Sequence, residues 1–245
     1  MESKTVEHFD LTGKKAIVVA ADQPAGAAIA DAYEEAGATV ARVEQLPAVE
    51  LTDKITEAAN SLDGLDILAC ASDLFLAKPI KDISMGELAT TMMTNFISPF
   101  AACQAALPFI RKGTSGNSSG NGNGNGNCNG NIVLVTSVLG ERGLPNTSVY
   151  SAAHGAVFNF IRAMAQELAP EGISINGIEL GWMDWMDDRI NMKDENAARA
   201  VRFTISKRAG TAEDIGPLAV WLSGSGVGFV TGQIFPLDGG LTQHL

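Results

Sequence analysis

The chain has 245 residues, of which 46% are apolar and 18% are charged. That apolar content excludes an intrinsically disordered chain and predicts a single domain over residues 1–245. Lys and Arg number 17 against 28 Asp and Glu, a formal net charge of −11, so the basic surface of a nucleic-acid-binding protein is not expected. No apolar run reaches the roughly 18 residues that cross a membrane, and no apolar secretion signal is visible. We therefore expect a cytoplasmic protein with reduced cysteines and no metal site.

From residue 14 onward, short apolar runs alternate with longer segments of helical periodicity. This alternation is typical of parallel βαβ units and predicts an α/β fold, a single-domain Rossmann-like doubly wound parallel sheet. Ligands of such sheets bind beyond the carboxyl ends of the strands. The predicted strands cover 16–20, 38–43, 65–70, 132–136, 173–178 and 233–237, and the predicted helices 26–36, 87–110, 151–168 and 212–223.

One segment departs from this pattern. Residues 113–131 contain 7 Gly and 7 Asn among 19 residues, and they offer no side chains that could build a core. We predict a flexible surface loop between a helix and a strand. A metal or partner site in the Asn/Gly repeat is the alternative interpretation.

Several local motifs occur in a characteristic order. They are LDILA at 65–69, IVLVTS at 132–137, Tyr150 thirteen residues after Ser137, ELAPEGISINGIELGW at 167–182, and VTGQIFPLDGG at 230–240. Together they resemble the short-chain dehydrogenase/reductase family over nearly the whole chain. The resemblance implies hydride transfer between NAD(P) and a carbonyl or an alcohol.

The resemblance also implies roles for individual residues. Tyr150 corresponds to the family's general acid/base, Ser137 to the serine that binds the substrate oxygen, and Asn95 to the asparagine of the proton relay. The family's lysine, which holds the nicotinamide ribose and activates the tyrosine, is replaced by His154. Residues i and i+4 share a helix face, so His154 points where the lysine would. A neutral imidazole, however, supplies no permanent charge to activate a phenol.

The family's cofactor turn reads Thr-Gly-x-x-x-Gly-x-Gly, whereas residues 19–26 read VAADQPAG. Ala20 and Pro24 replace two glycines, Asp22 adds a negative charge, and only Gly26 is kept. Proline lacks an N–H group that a phosphate could use. We therefore predict that this chain binds no cofactor itself, and that Gly26 serves helix–strand packing.

Three further differences favour the same interpretation. CASD at 70–73 replaces the family's Asn-Asn-Ala-Gly, and only five residues separate Glu44 from Glu50, where relatives carry a helix. Trp185 falls where it would fill the nicotinamide pocket. Glu44 has the acidic character of a ribose ligand, but we interpret it and Gly26 as vestigial positions.

These observations favour a degenerate, non-catalytic subunit of a heteromeric NAD-dependent alcohol dehydrogenase. Ser137, Tyr150, Asn95 and His154 would then be vestigial, and NAD would be bound by a catalytically active paralogue of the same family. The heteromeric dehydrogenases that oxidise a hydroxyacyl-CoA in anaerobic toluene and benzylsuccinate degradation are a precedent.

The predicted assembly is a heterotetramer through the long helices 87–110 and 151–168. Apolar side chains line both helices: Met92, Phe96, Phe100, Ala106 and Phe109 on the first, and Val157, Phe158, Ile161 and Met164 on the second.

Two alternatives remain open. The chain could be an active but atypical NAD(P)-dependent oxidoreductase that uses Ser137, Tyr150 and His154. It could also be a cofactor-free lyase resembling the halohydrin dehalogenases, which keep a Ser–Tyr pair but carry arginine at the position of His154.

Overall fold

The structure is a computed structural model that describes residues 9–115, 130–189 and 201–243. Six parallel strands form one sheet in the order β2-β1-β3-β4-β5-β6. Their bounds are β1 Lys15–Val19, β2 Thr39–Val43, β3 Ile67–Cys70, β4 Gly130–Ser137, β5 Ile173–Leu180 and β6 Ile234–Leu237. The predicted fold class is thus confirmed. The central strands β3, β4 and β5 are buried along their whole length, as expected for a sheet covered on both faces.

Helices cover both faces of the sheet. They are α1 Pro24–Glu35, α2 Ala48–Ser61, α3 Met85–Met92, α4 Ser98–Ser115, α5 Ser148–Leu168 and α6 Ala212–Ser223. One core lies between the sheet and α2, α4 and α5, and the second between the sheet and α1 and α6. Alternate residues of each strand enter opposite cores, since successive side chains of a strand point to opposite faces.

The structure corrects three sequence predictions. The predicted helix 87–110 is divided by a π-helical turn, Met93–Ile97, between α3 and α4. Helix α2 was missed, although Leu51, Ile55 and Ala59 recur every four residues and are fully buried. The predicted loop 113–131 was too wide, because α4 continues to Ser115 and β4 begins at Gly130; the rest of that loop lies outside the described residues.

Within the described ranges, no helix is both long enough and apolar enough to span a membrane. Cys70 and Cys103 are buried free thiols, and burial raises the pKa of both. They therefore contribute to packing as small apolar side chains.

The turn between β1 and α1 brings the helix unusually close to the strand. A Cβ atom at Gly26 would fall on the carbonyl oxygen of Ala20. Only glycine permits this approach, which fixes where the first turn of α1 lies relative to the end of β1.

Gly26→Ala is therefore expected to lower the free energy of unfolding by roughly 1–3 kcal/mol, measured by urea denaturation followed by circular dichroism. Gly86→Ala is the matched control, since Gly86 is exposed in the first turn of α3 and a Cβ there meets only ordinary contacts. It should gain about 0.5–1 kcal/mol from reduced chain entropy in the unfolded state. Equal losses in both variants would contradict the role of the close approach.

Candidate active site

A narrow cavity lies at the carboxyl ends of the central strands. Its walls include Pro24 in the first turn of α1, Asp73 after β3, Ser137 at the end of β4, Tyr150 in α5 and Trp185 after β5. The cavity volume is about 20 Å³, which is room for about one water molecule. The fold therefore brings the predicted Ser137 and Tyr150 to the walls of one site.

The hydroxyl groups of Ser137 and Tyr150 are each held by a hydrogen bond. Ser137 Oγ accepts the N–H of Leu139 at 3.2 Å, which closes the turn after β4. Tyr150 Oη donates to Oδ1 of Asp73 at 2.8 Å, and its ring makes an edge contact with Phe75 at 5.1 Å between centroids. Tyr150 is thus fixed by a carboxylate as well as by ring packing.

His154 lies one helical turn beyond Tyr150, and the two ring centroids are 4.3 Å apart. Its Nδ1 is 3.1 Å from Oγ1 of Thr136, and its Nε2 is 3.5 Å from Oδ1 of Asp73. Nε2 is buried and makes no hydrogen bond with the part of the chain that is described. Gly140 packs against the backbone and Cβ of His154. His154 therefore faces Asp73 as well as Tyr150.

Asn95 is buried in the π-helical turn, but its amide does not bond the backbone of its own helix. Its Oδ1 accepts the N–H of Leu74 at 2.7 Å, and its Nδ2 donates to the carbonyl of Leu74 at 2.9 Å. Because Leu74 follows Asp73 directly, Asn95 holds the segment that presents the carboxylate to Tyr150.

The cofactor turn keeps its backbone path despite its changed residues. Ala20 has a φ of +61°, so alanine adopts the left-handed conformation that usually favours glycine. Pro24 is the first residue of α1, where a proline fits the helix and its missing N–H breaks no helical hydrogen bond. The N-cap residue Gln23 makes no side-chain capping bond. The first turn of α1 thus still offers uncapped N–H groups to an anion.

Asp22 does not act as a lone charge at this helix end. Its Oδ1 accepts the N–H of Gln45 at 2.6 Å, and its Oδ2 accepts Nε2 of Gln23 at 2.9 Å. Gln45 Oε1 in turn accepts the N–H of Asp73 at 2.9 Å. Glu44 is exposed at the end of β2. These bonds connect the loops after β1, β2 and β3.

A second, larger cavity opens between the loop after β2 and helix α3. Its volume is about 340 Å³, and its walls include Gln45, Leu46, Pro47, Thr90 and Met93. This volume falls within the range typical of ligand pockets. Since Gln45 is hydrogen-bonded to Asp73, the walls of the two cavities are directly joined.

The two cavities differ in how they fit a dinucleotide. The larger one has room for the adenosine end, and the backbone of the β1–α1 turn suits a pyrophosphate. The smaller one holds about one water, too little for a nicotinamide ring while Trp185 and Met186 line it. The residues therefore fit the adenosine and pyrophosphate, and the nicotinamide end needs Trp185 to move.

Sequence reasoning missed two features of the site. Asp73 entered the sequence analysis only as the last residue of CASD at 70–73, and nothing in the spacing indicated that it would bond Tyr150, 77 residues away. Thr136 was not singled out. Thr136 directly precedes Ser137 on β4, so its side chain points to the opposite face of the sheet from that of Ser137. That alternation could have predicted that Thr136 faces α5.

Glu179 is a further buried carboxyl group beside the site. It lies opposite Thr136 in the register of β4 and β5. Burial, helped by the negative charges of Glu141 and Asp238 and opposed by Arg142, raises the pKa of Glu179 to about 7. Its Oε1 has no hydrogen-bond partner within the described ranges.

Comparison with known proteins bears on these assignments. The family profile described as enoyl-(acyl carrier protein) reductase matches residues 5–242. The glucose 1-dehydrogenase of Gluconobacter oxydans is 27% identical over 95% of this chain and 93% of its own. A crystal structure of a dehydrogenase/reductase from Sinorhizobium meliloti superimposes with a TM-score of 0.79 at 26% identity, covering 97% of this chain and 98% of the other.

A third comparison concerns the cofactor. The crystal structure of a blue fluorescent protein from a metagenomic library, in complex with NADPH, has a TM-score of 0.81 at 24% identity, over 95% of this chain and 99% of the other. The shared fold is thus one that holds a nicotinamide dinucleotide in that protein.

These findings correct two predictions. A non-catalytic subunit is contradicted, because relatives that align over nearly the whole chain are named dehydrogenases. The prediction that no cofactor is bound by this chain is contradicted as well, because a reductase family profile matches residues 5–242. The prediction assumed that replacing two glycines of the β1–α1 turn would destroy the turn. The backbone is preserved instead, because Ala20 adopts the left-handed conformation and α1 still starts at Pro24.

The matched profile, the order of strands and helices, and the meeting of Ser137 and Tyr150 at the carboxyl ends of the strands agree. The chain belongs to the short-chain dehydrogenase/reductase family.

Proposed function

We propose that this protein is an active NAD(P)-dependent oxidoreductase that acts on an alcohol or a carbonyl group through Ser137, Tyr150 and His154. The observation that carries the proposal is that Ser137, Tyr150 and His154 line one cavity at the carboxyl ends of the strands. The substrate class follows from this pair of hydroxyl groups, which can hydrogen-bond one oxygen atom from two sides.

The chain's own residues divide the work. A nicotinamide dinucleotide, when bound, exchanges the hydride. The uncapped first turn of α1 would hold its pyrophosphate, and the cavity beside Gln45 its adenosine. Ser137 donates a hydrogen bond to the reacting oxygen, and Tyr150 exchanges a proton with it. His154 packs against the Tyr150 ring, and its Nε2 lies 3.5 Å from Oδ1 of Asp73, so it positions both groups.

Tyr150→Phe is expected to lower turnover by about 10²–10⁴-fold, the usual contribution of a positioned proton-transfer group, without changing the affinity for NADH. Calorimetry with NADH and NADPH, followed by an alcohol and carbonyl substrate screen, measures both quantities. Tyr33→Phe is the matched control, because Tyr33 is the other tyrosine of the chain and its hydroxyl group is buried against Ser223, away from the site. Failure of NADH and NADPH to bind at millimolar concentration would refute the proposal, and halide release from a haloalcohol would then support the lyase alternative.

Trp185→Ala is expected to tighten NADH binding by about tenfold, or 1.4 kcal/mol, because the indole lines the cavity that the nicotinamide ring must enter. ADP-ribose is the matched ligand, since it carries the adenosine and pyrophosphate but lacks the nicotinamide. Its affinity, measured by calorimetry, should be the same for both proteins. A similar gain for both ligands would show that Trp185 acts elsewhere in the groove.

We propose that α4 and α5 form an interface with a second chain, and the predicted active paralogue remains a candidate partner. Four residues of the predicted interface cannot contact a second chain, because they are buried within this one: Ala106, Val157, Phe158 and Ile161. The surface instead carries an aromatic group in which Phe96 and Phe100 each contact Phe160.

Phe100→Asp is expected to convert the assembled protein to monomers, because the Phe100 side chain is 43% exposed on this aromatic surface and a buried interfacial charge is costly. Light scattering after gel filtration gives the mass. Phe229→Asp is the control, since Phe229 is fully exposed between α6 and β6. A monomeric parent protein, or dissociation by both substitutions, would contradict this interface.

A further inference from the structure

The hydrogen bond of Tyr150 leaves its hydroxyl group in one orientation. A phenol has a single O–H proton, and this proton is donated to Oδ1 of Asp73 at 2.8 Å. A phenol oxygen that has donated its proton can act toward a ligand only as an acceptor. In this state Tyr150 is set to receive a proton from a ligand while it holds its own proton toward Asp73.

Asp73 links the buried phenol to solvent. Tyr150 is 2% exposed and His154 is 2% exposed, whereas the side chain of Asp73 keeps 20% of its surface. A proton that moves from Tyr150 to Asp73 therefore reaches a group that water can contact. Neither Tyr150 nor His154 offers such a route by itself.

The two hydroxyl groups complement an alcohol. An alcohol oxygen can donate one hydrogen bond, to Tyr150, and accept another, from Ser137. A carbonyl oxygen only accepts, so it would require Tyr150 to give up its bond to the Asp73 carboxylate. With Asp73 ionised, an alcohol can hydrogen-bond to both hydroxyl groups while Tyr150 keeps its bond to the Asp73 carboxylate.

We propose, on the basis of the oxidoreductase function proposed above, that Asp73 is the proton acceptor for Tyr150 during oxidation of an alcohol. The O–H bonds of the alcohol and of Tyr150 break, and new O–H bonds form on Tyr150 and on Asp73. The electron pair of the alcohol C–H bond leaves as hydride to the oxidised nicotinamide dinucleotide. Asp73 then releases its proton to water, so atoms and charge balance.

His154 is a positioning residue in this arrangement. Thr136 holds its Nδ1 at 3.1 Å, and its Nε2 lies 3.5 Å from the same Oδ1 that accepts the Tyr150 proton. The Asp73 backbone N–H is fixed by Gln45. Two further titratable groups of the described residues lie near this cluster: Glu179, opposite Thr136 on β5, and Asp22, which accepts the N–H of Gln45. Asp73 is thus held in place from α5 and from the loop after β2.

The first test needs no substrate or cofactor. The protein has two tyrosines, and Tyr33 is buried, which strongly raises its pKa, so ultraviolet titration can follow tyrosinate formation at Tyr150. Removing the neighbouring negative charge in Asp73→Asn should lower the midpoint pH of this transition by about one unit, a tenfold change in the ionisation constant. Tyr150→Phe identifies the transition by abolishing it. Asp53→Asn, an exposed carboxylate on α2, should leave it unchanged.

The second test is kinetic and uses cyclohexanol with NAD⁺. Asp73→Asn should lower kcat/KM by about 10²-fold or more and remove the decline of wild-type activity at acid pH that comes from protonation of Asp73. Asp73→Glu should restore part of the rate. A purely structural role would lower the rate equally at every pH.

The outcomes separate this inference from the proposed function. An unchanged titration midpoint in Asp73→Asn, or an acid decline that persists in that variant, would overturn the role of Asp73. A wild-type protein that binds neither NAD⁺ nor NADP⁺ would overturn the oxidoreductase function, while the titration would still report whether Asp73 holds the Tyr150 proton.

Discussion

The site depends on one hydrogen-bonded junction at Asp73. Its backbone N–H donates to Gln45, and its carboxylate accepts the hydrogen bond of Tyr150 and lies beside His154. Its neighbour Leu74 is held by Asn95. Polar groups that are removed from water need partners, because each unpaired one costs free energy comparable to a lost hydrogen bond. Asp73 therefore links the loops after β2 and β3 to α5 and to the π-helical turn.

This junction changes how the loss of the family's lysine is understood. A lysine beside the tyrosine would favour its ionised form by charge. Here Tyr150 faces the carboxylate of Asp73, and this negative charge disfavours a phenolate. Tyr150 therefore stays protonated until it receives a proton from the substrate and gives its own to Asp73. His154, held between Thr136 and Asp73, helps to position that carboxylate but does not replace a permanent cation.

The cofactor groove combines a preserved backbone with altered side chains. The left-handed Ala20 and the close approach at Gly26 maintain the path between β1 and α1, so the helix N-terminus stays where an anion can reach it. Space at the two ends is unequal, because Trp185 narrows the cavity at Ser137 and Tyr150 while the cavity beside Gln45 is open. Under the proposed function, binding of a whole dinucleotide requires the Trp185 side chain to move.

The sequence by itself determined the α/β fold and most strand and helix positions, while the family resemblance carried by its motifs implied that Ser137, Tyr150 and His154 share one site. Strand periodicity and i, i+4 spacing are local properties that a single chain displays directly. It did not determine the conformation of Ala20, the partners of Asn95 or the bond between Asp73 and Tyr150. Those depend on contacts between residues far apart in the chain, such as Asn95 with Leu74 and Tyr150 with Asp73. Only the packed sheet and its loops bring such groups within hydrogen-bonding distance, so the tertiary structure decided how the site is built.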